Sequence, residues 1–324
     1  MKNISSNVRS NDTSSRYSRT EAEGIAVCSV FIVADVFIVS GNLLTLVLFA
    51  SSKKLRKRSL FMVINMAFSD LLLGILTLPI FIVMKGDSYQ LWRFKSSQYL
   101  RKSYIFADTA FSQASLISAV FISLERFHAV SWPLQHRTLS PRAYHVGISV
   151  VWVLSILVST ICNVLVWFKT AKDSLYFWIP YALIVLLLLC SCNIGIWRKS
   201  QHRAVVSQQN IVNSQRLTKT LLFVSMFALI CWLPLVVLNF LNFVYEIWTS
   251  WLSLAYSVAD ILNYCNSCIN PIVYAFTIPE FKRAIRFRCT GKTEVLTVRQ
   301  DKISGQNKIG VFLTFENQGM DTQL

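Results

Sequence analysis

The sequence predicts an all-α membrane protein: a seven-transmembrane helix bundle followed by a short amphipathic eighth helix. Three observations predict it. Only 15% of the residues are charged and 54% are hydrophobic, whereas a soluble domain carries about 25% charged residues. Seven apolar runs recur along the chain, each near the length of about 20 residues that a helix needs to cross a bilayer. The basic residues between the runs gather mainly on one side, as they do on the cytoplasmic face of a membrane.

Residues 1–24 are polar and rich in Ser and Asn. They form an expected extracellular tail, and the sequons Asn3-Ile4-Ser5 and Asn11-Asp12-Thr13 make Asn3 and Asn11 candidate glycosylation sites. The seven runs fall at about 25–50, 60–84, 103–129, 143–168, 174–197, 217–243 and 250–276. Backbone in lipid must satisfy its own hydrogen bonds, so runs this long read as helices. The stretch 25–289 is therefore one seven-helix membrane domain, with no second soluble one.

Orientation follows from Lys53, Lys54, Arg56, Lys57 and Arg58 in the first loop, Arg198, Lys199, Arg203, Arg216 and Lys219 near the ends of the third inner loop, and Lys282, Arg283, Arg286 and Arg288 after the last run. All fall on one side, which puts the N-terminus outside a plasma membrane. The loop 85–102 opposes this with Lys85, Arg93, Lys95, Arg101 and Lys102, so the outer face is basic too. The net charge of +16 lies largely between apolar runs, and no nucleic-acid partner is expected.

Residues 279–289 alternate Phe281, Ile285 and Phe287 with Lys282, Arg283 and Arg286. That pattern predicts a helix lying on membrane lipid, with Cys289 at its end a candidate for palmitoylation. Residues 290–324 read as a flexible cytoplasmic tail. Its end, Asp321-Thr322-Gln323-Leu324, resembles a ligand for a PDZ-domain protein, which captures a terminal carboxylate. Seven of the eight cysteines lie inside the apolar runs, so no disulfide framework is expected.

Four acids interrupt the runs: Asp35, Asp70, Asp108 and Asp260. Each is costly in a bilayer, at least ~2.5–3.5 kcal/mol at its centre. No Lys or Arg lies deep in any run, so a proton, a metal cation or a cationic ligand must compensate them. Asp108 lies about 27 Å above Arg126 along its helix, Asp35 and Asp260 reach a similar height, and Asp70 is near the middle. Asp108, Ser112, Ser115, Ala119, Ile122 and Arg126 repeat at spacings of four and three, which is one helix face.

From Gly41 to Cys289 the chain resembles rhodopsin-class G-protein-coupled receptors. The residues that carry this, in order, are Gly41-Asn42, Asn65 to Leu71, Glu125-Arg126-Phe127, Trp132-Pro133-Leu134, Trp152, Phe177 to Pro180, Cys231-Trp232-Leu233-Pro234, Asn270-Pro271-Ile272-Val273-Tyr274 and Phe281. The resemblance implies a sodium pocket from Asp70, Ser115, Asn266 and Asn270, with Asp70 as the metal-binding acid. It implies an activation switch in Glu125, Arg126, Trp232, Pro234, Asn270, Pro271 and Tyr274, working on a heterotrimeric G protein. It implies no cofactor beyond an allosteric sodium ion, and, since the sequence carries no catalytic triad, zinc site or phosphate loop, no enzyme activity is expected.

The ligand site implied is amine-like: Asp108 anchoring a small cationic ligand, Tyr264 supporting it, and Asp260, Ser112 and Trp232 nearby. The family's usual outer disulfide has no counterpart, since Arg101 stands at the helix-three position and residues 169–173 contain no cysteine. Ser214 replaces the acid often found at the foot of helix six, and Arg216 and Lys219 adjoin it, which predicts raised basal signalling. Leu235 and Val236 replace an aromatic pair, and Lys172, Asp173 and Tyr176 replace serines, so a catecholamine is not expected. A peptide ligand stays open. So does an ion-coupled transporter, by its intramembrane acids. A retinal protein is disfavoured because Tyr264 occupies the position of the retinal-binding lysine.

Overall fold

A computed structural model describes residues 21–52, 55, 60–94, 97–168, 171–202, 209–245, 250–277, 279–290, 292–303 and 306–317. The expectations for Asn3, Asn11 and the Asp321–Leu324 end lie outside the described residues, as do those resting on the side chains of Ser214, Arg216, Lys219 and Cys289.

Seven long helices follow one another: α1 (Glu21–Ser51), α2 (Phe61–Ser88), α3 (Gln98–Ser131), α4 (Pro141–Phe168), α5 (Ala171–His202), α6 (Gln209–Tyr245) and α7 (Ser250–Thr277). A short helix, Pro133–Thr138, links α3 to α4, and α8 (Pro279–Thr290) follows α7. The starts have local causes. The Ser97 hydroxyl accepts from Leu100 N at 3.1 Å and caps α3. Pro133, Pro141 and Pro279 each open a helix, where the missing N–H costs nothing.

Six of these helices are long and apolar enough to cross a membrane by composition alone. The seventh, α7, has 28 residues, about 42 Å at 1.5 Å per residue. Its apolar character is diluted by Ser257, Asn266, Ser267 and Asn270, all of which are buried within the bundle. Large apolar side chains such as Val33, Phe37, Val153, Leu187, Ile230 and Phe276 are exposed, as lipid-facing residues should be.

Packing is circular, with α3 through the middle. α1 packs on α2 and α7, α4 on α5, α5 on α6 and α6 on α7, while α3 touches α2, α4, α5 and α6. Lipid tails are as apolar as leucine, so association must come from close packing and polar contacts. Both are present. A Cβ on Gly41 would stand 3.0 Å from Pro271, so the glycine lets α1 and α7 meet. Asn42 Nδ2 donates to Ser267 O at 3.1 Å across the same seam. Asn65 donates to Ser118 Oγ at 2.9 Å and accepts from Trp152 Nε1 at 2.9 Å, joining α2, α3 and α4.

α2 is α-helical over Phe61–Leu72 and Leu78–Ser88, with a π-helical turn at Leu73–Thr77. Pro79 lacks the N–H that would continue the ladder, and Leu78 N instead donates to Leu73 O, five residues back. Thr77 Oγ1 donates to the same carbonyl at 2.8 Å. After this turn α2 continues as helix to Ser88, so Lys85 is a helical residue and not part of the outer loop the hydropathy suggested. Arg101 and Lys102 are likewise inside α3.

α8 anchors to the end of the bundle where α7 finishes. Phe281 is buried against Phe49 and Tyr274, and Ile285 packs on the same cluster. These two apolar residues therefore meet protein. The segment read as a flexible tail contains two strands, β1 (Lys292–Ile303) and β2 (Gln306–Asn317), paired antiparallel from Lys292↔Asn317 to Ile303↔Gln306. Val295, Thr297, Val298, Val311, Phe312 and Phe315 give these stretches the β-branched and aromatic content that suits strands.

Candidate functional site

Three polar sites line up along the bundle: one at the end where α3 begins, termed the outer end, one central, and one at the opposite end, termed the inner end. Asp108 on α3 accepts a hydrogen bond from the Tyr264 hydroxyl on α7 at 2.8 Å. The Tyr104 and Tyr264 hydroxyls lie 3.5 Å apart. Phe81 stacks on Tyr104 with ring centroids 6.1 Å apart, and its ring lies 5.5 Å from that of Tyr264. Phe31 contacts both Phe81 and Tyr264 edge-on at 5.1 and 5.9 Å. Asp108 is thus half-buried among aromatic rings from α1, α2, α3 and α7.

Asp260 pairs with Lys85 Nζ at 3.4 Å, which corrects the expectation that it has no basic partner. The cause is the extra helical turn of α2, which carries Lys85 across to α7. Asp35 belongs to the contact between α1 and α2: a Cβ on Gly74 would lie 3.3 Å from its Oδ1. That oxygen is buried without a hydrogen-bond partner. Ser112 is buried, as is Trp232, which packs with Leu116, Ala182, Leu186 and Val236. The Trp232 Nε1 has no partner.

The central site surrounds Asp70, which is fully buried. Its Oδ1 accepts from Ser267 Oγ at 2.7 Å and its Oδ2 from Asn270 Nδ2 at 2.9 Å. Ser267 escaped the sequence reading, although it lies three residues before Asn270 and so on the same helix face. Ser115 and Asn266 are buried. The Ser115 hydroxyl lies within hydrogen-bonding reach of Asp70, and the Asn270 Oδ1 is buried with no partner. An orphan oxygen of this kind, near a carboxylate, fits a hard cation that takes oxygen ligands. Among the described residues no group of three His, Cys, Asp or Glu side chains converges as a metal cluster.

At the inner end Arg126 is 3% exposed. Its Nε donates to Glu125 Oε2 at 3.0 Å, and its Nη2 makes a close contact to Glu125 Oε1. That same Oε1 lies 3.0 Å from His136 Nε2 and accepts from the Tyr144 hydroxyl at 3.2 Å. His136 and Tyr144 were not singled out from the sequence; they lie 11 and 19 residues beyond Glu125, on the short helix and on α4, so no single helix carries them with it. Tyr274 is fully buried beside Phe281, and its hydroxyl has no partner. Pro234 and Pro271 interrupt α6 and α7 from within. The seven described cysteines are free thiols.

The comparisons with known proteins agree with this arrangement. The chain is 27% identical to "Rhodopsin, GQ-coupled" of Mizuhopecten yessoensis over 76% of its length, and it spans just over half, 56%, of that relative. It is 26% identical to the histamine H2 receptor of Canis lupus familiaris, covering 82% of this chain and 80% of that one. Somatostatin receptor type 1 of Rattus norvegicus is also 26% identical, over 82% of this chain and 73% of that one. The profile described as "7 transmembrane receptor (rhodopsin family)" matches residues 41–274, a stretch that holds all three polar sites. This multi-pass membrane chain belongs to the rhodopsin family of seven-transmembrane receptors.

Proposed function

We propose that the chain is a plasma-membrane receptor, N-terminus outside, that binds a small cationic ligand from the outer face and activates a heterotrimeric G protein. One observation carries the ligand class. The Asp108 carboxylate is held by Tyr264 at 2.8 Å, yet it makes no ion pair among the described residues. A ligand ammonium would supply the missing charge, and a charge-assisted hydrogen bond is roughly twice as strong as a neutral one. The surrounding rings of Phe81, Tyr104 and Tyr264 suit a cation, which the face of an aromatic ring attracts.

The similarity to a histamine H2 receptor supports an amine ligand. In this reading, ligand contact with α3 and α7 shifts Trp232 above Pro234, and the inner end opens Arg126 to the G protein. A ligand does this only by binding one conformation better than the other. Asp70, Ser115, Asn266 and Asn270 would hold a sodium ion, which would favour the resting conformation. No enzymatic step is proposed.

The test is Asp108→Asn, which keeps the shape and removes the charge. It should lower the potency of amine-stimulated nucleotide exchange by about a hundredfold at equal surface expression. Unchanged potency would make the second reading, a peptide receptor, the better one. That reading is favoured by the similarity to a somatostatin receptor, at the same identity as the amine receptor. Substrate flux into vesicles without nucleotide exchange would replace both with a transporter.

A further inference from the structure

Lys85 and Asp260 stand beside the Asp108 site without belonging to the anchor itself. The Lys85 ammonium lies 3.4 Å from Asp260 Oδ2, with the two side chains 18% and 24% exposed. The same ammonium lies 5.3 Å from the centre of the Phe81 ring. Phe81 in turn packs on Tyr104 and Tyr264, and Tyr264 holds Asp108. Asp260 sits one helical turn above Tyr264 on α7. Two side chains, Phe81 and Tyr264, therefore stand between the ammonium and the anchoring carboxylate. The outer site contains two carboxylates and one built-in ammonium, so it has room for one further positive charge.

We infer that Lys85 is a tethered counter-ion that sets the charge of the ligand: by occupying Asp260 it restricts the site to molecules carrying one ammonium and disfavours those carrying two. This rests on Asp108 being the ligand anchor. The stability of such a pair is small where it is exposed. Its effect on a neighbouring cation is larger, because partly buried charges are screened less than those in water. A second ligand ammonium aimed at Asp260 would have to displace Lys85 or sit beside it. Neither like-charge contact nor loss of the existing pair is favourable.

The test uses the full chain in lipid nanodiscs and reads thermal stabilisation, so no G protein is required. The probes are straight-chain alkylamines and α,ω-alkanediamines of matched lengths. The native chain should prefer monoamines. Lys85→Gln leaves two carboxylates free and should shift the diamine-to-monoamine preference toward diamines by at least about tenfold, well within what one unit charge a few ångströms away exerts at a protein-surface dielectric. Lys85→Arg should behave as the native chain. The double substitution Lys85→Gln with Asp260→Asn removes both members of the pair and should restore the monoamine preference, and it keeps the test intact if Lys85→Gln alone folds poorly. An unchanged preference in Lys85→Gln, with monoamine binding still lost in Asp108→Asn, overturns the counter-ion role and leaves the anchor standing. If no amine stabilises any of these chains, the anchor and the counter-ion role both fall.

Discussion

The outer and inner ends of α3 each carry a charged residue, and the two are treated in opposite ways. At the inner end, Arg126 is nearly sealed from solvent and its neighbour Glu125 is engaged by Arg126, His136 and Tyr144. At the outer end, Asp108 is held by the Tyr264 hydroxyl, with Thr77 also within reach, and has no cation among the described residues. Removing one partner from a buried charge network leaves the other uncompensated, which is strongly unfavourable. The inner end is thus built to hold a conformation, while the outer end is built to be completed by something else. A receptor needs both, since a ligand can shift an equilibrium only where it makes a contact that the resting state lacks.

The largest expected effect breaks the outer end. Asp108→Asn should reduce agonist potency by about a hundredfold, since a hydrogen bond to a charged group contributes roughly 1.5–3 kcal/mol and an ion pair is lost with it. Concentration–response curves at matched surface expression would show it. Tyr264→Phe should weaken potency less, by about tenfold, because it removes one donor and leaves the carboxylate. A Tyr264→Phe loss as large as that of Asp108→Asn would mean that the tyrosine itself contacts the ligand.

Breaking the inner end should act without ligand. Glu125→Gln removes the carboxylate that engages Arg126 and should raise ligand-free nucleotide exchange several-fold, equivalent to a bias of about 1–2 kcal/mol between two states. An unchanged basal rate would mean that the Glu125–Arg126 pair does not distinguish the conformations. Tyr144→Phe removes a single hydroxyl from the same carboxylate and should raise the basal rate by less.

Between the two ends, Ser267→Ala takes a donor from buried Asp70. Leaving a buried acceptor under-satisfied costs about 1–3 kcal/mol, so the melting temperature in nanodiscs should fall while Asp108-dependent binding persists. Sodium protection against heating should weaken together with it if Asp70 holds the ion. The smallest effect sharpens the packing side of the comparison. Gly41→Ala places a Cβ 3.0 Å from Pro271, and α1 or α7 must give by a few tenths of an ångström. A small loss of thermal stability, below that of Ser267→Ala, is the expected outcome.

Much of this architecture was legible in the amino-acid sequence because a bilayer removes choices. Long apolar runs have to be helices, and an acid inside one has to face protein or a cavity. The face of α3 from Ser112 through Ser115, Ala119 and Ile122 to Arg126 is buried as its spacing of four and three indicates. Tyr264 meets Asp108 as the family resemblance implies. The readings that failed involve either where a helix stops or which distant helix supplies a partner. Hydropathy ends near Lys85 because the residues turn polar, but the backbone stays helical to Ser88.

The sequence by itself determined the membrane class, the approximate spans and the depth of each buried acid, since these depend on composition and on rise per residue along one helix. Only the tertiary structure decided the partners: Lys85 for Asp260, Ser267 for Asp70, and His136 and Tyr144 for Glu125. The reason is physical. Depth is a property of a single helix, whereas a partner across the bundle depends on how two helices rotate and approach, and that is set by contacts such as Gly41 against Pro271 and by the π turn in α2, neither of which leaves a periodic signal.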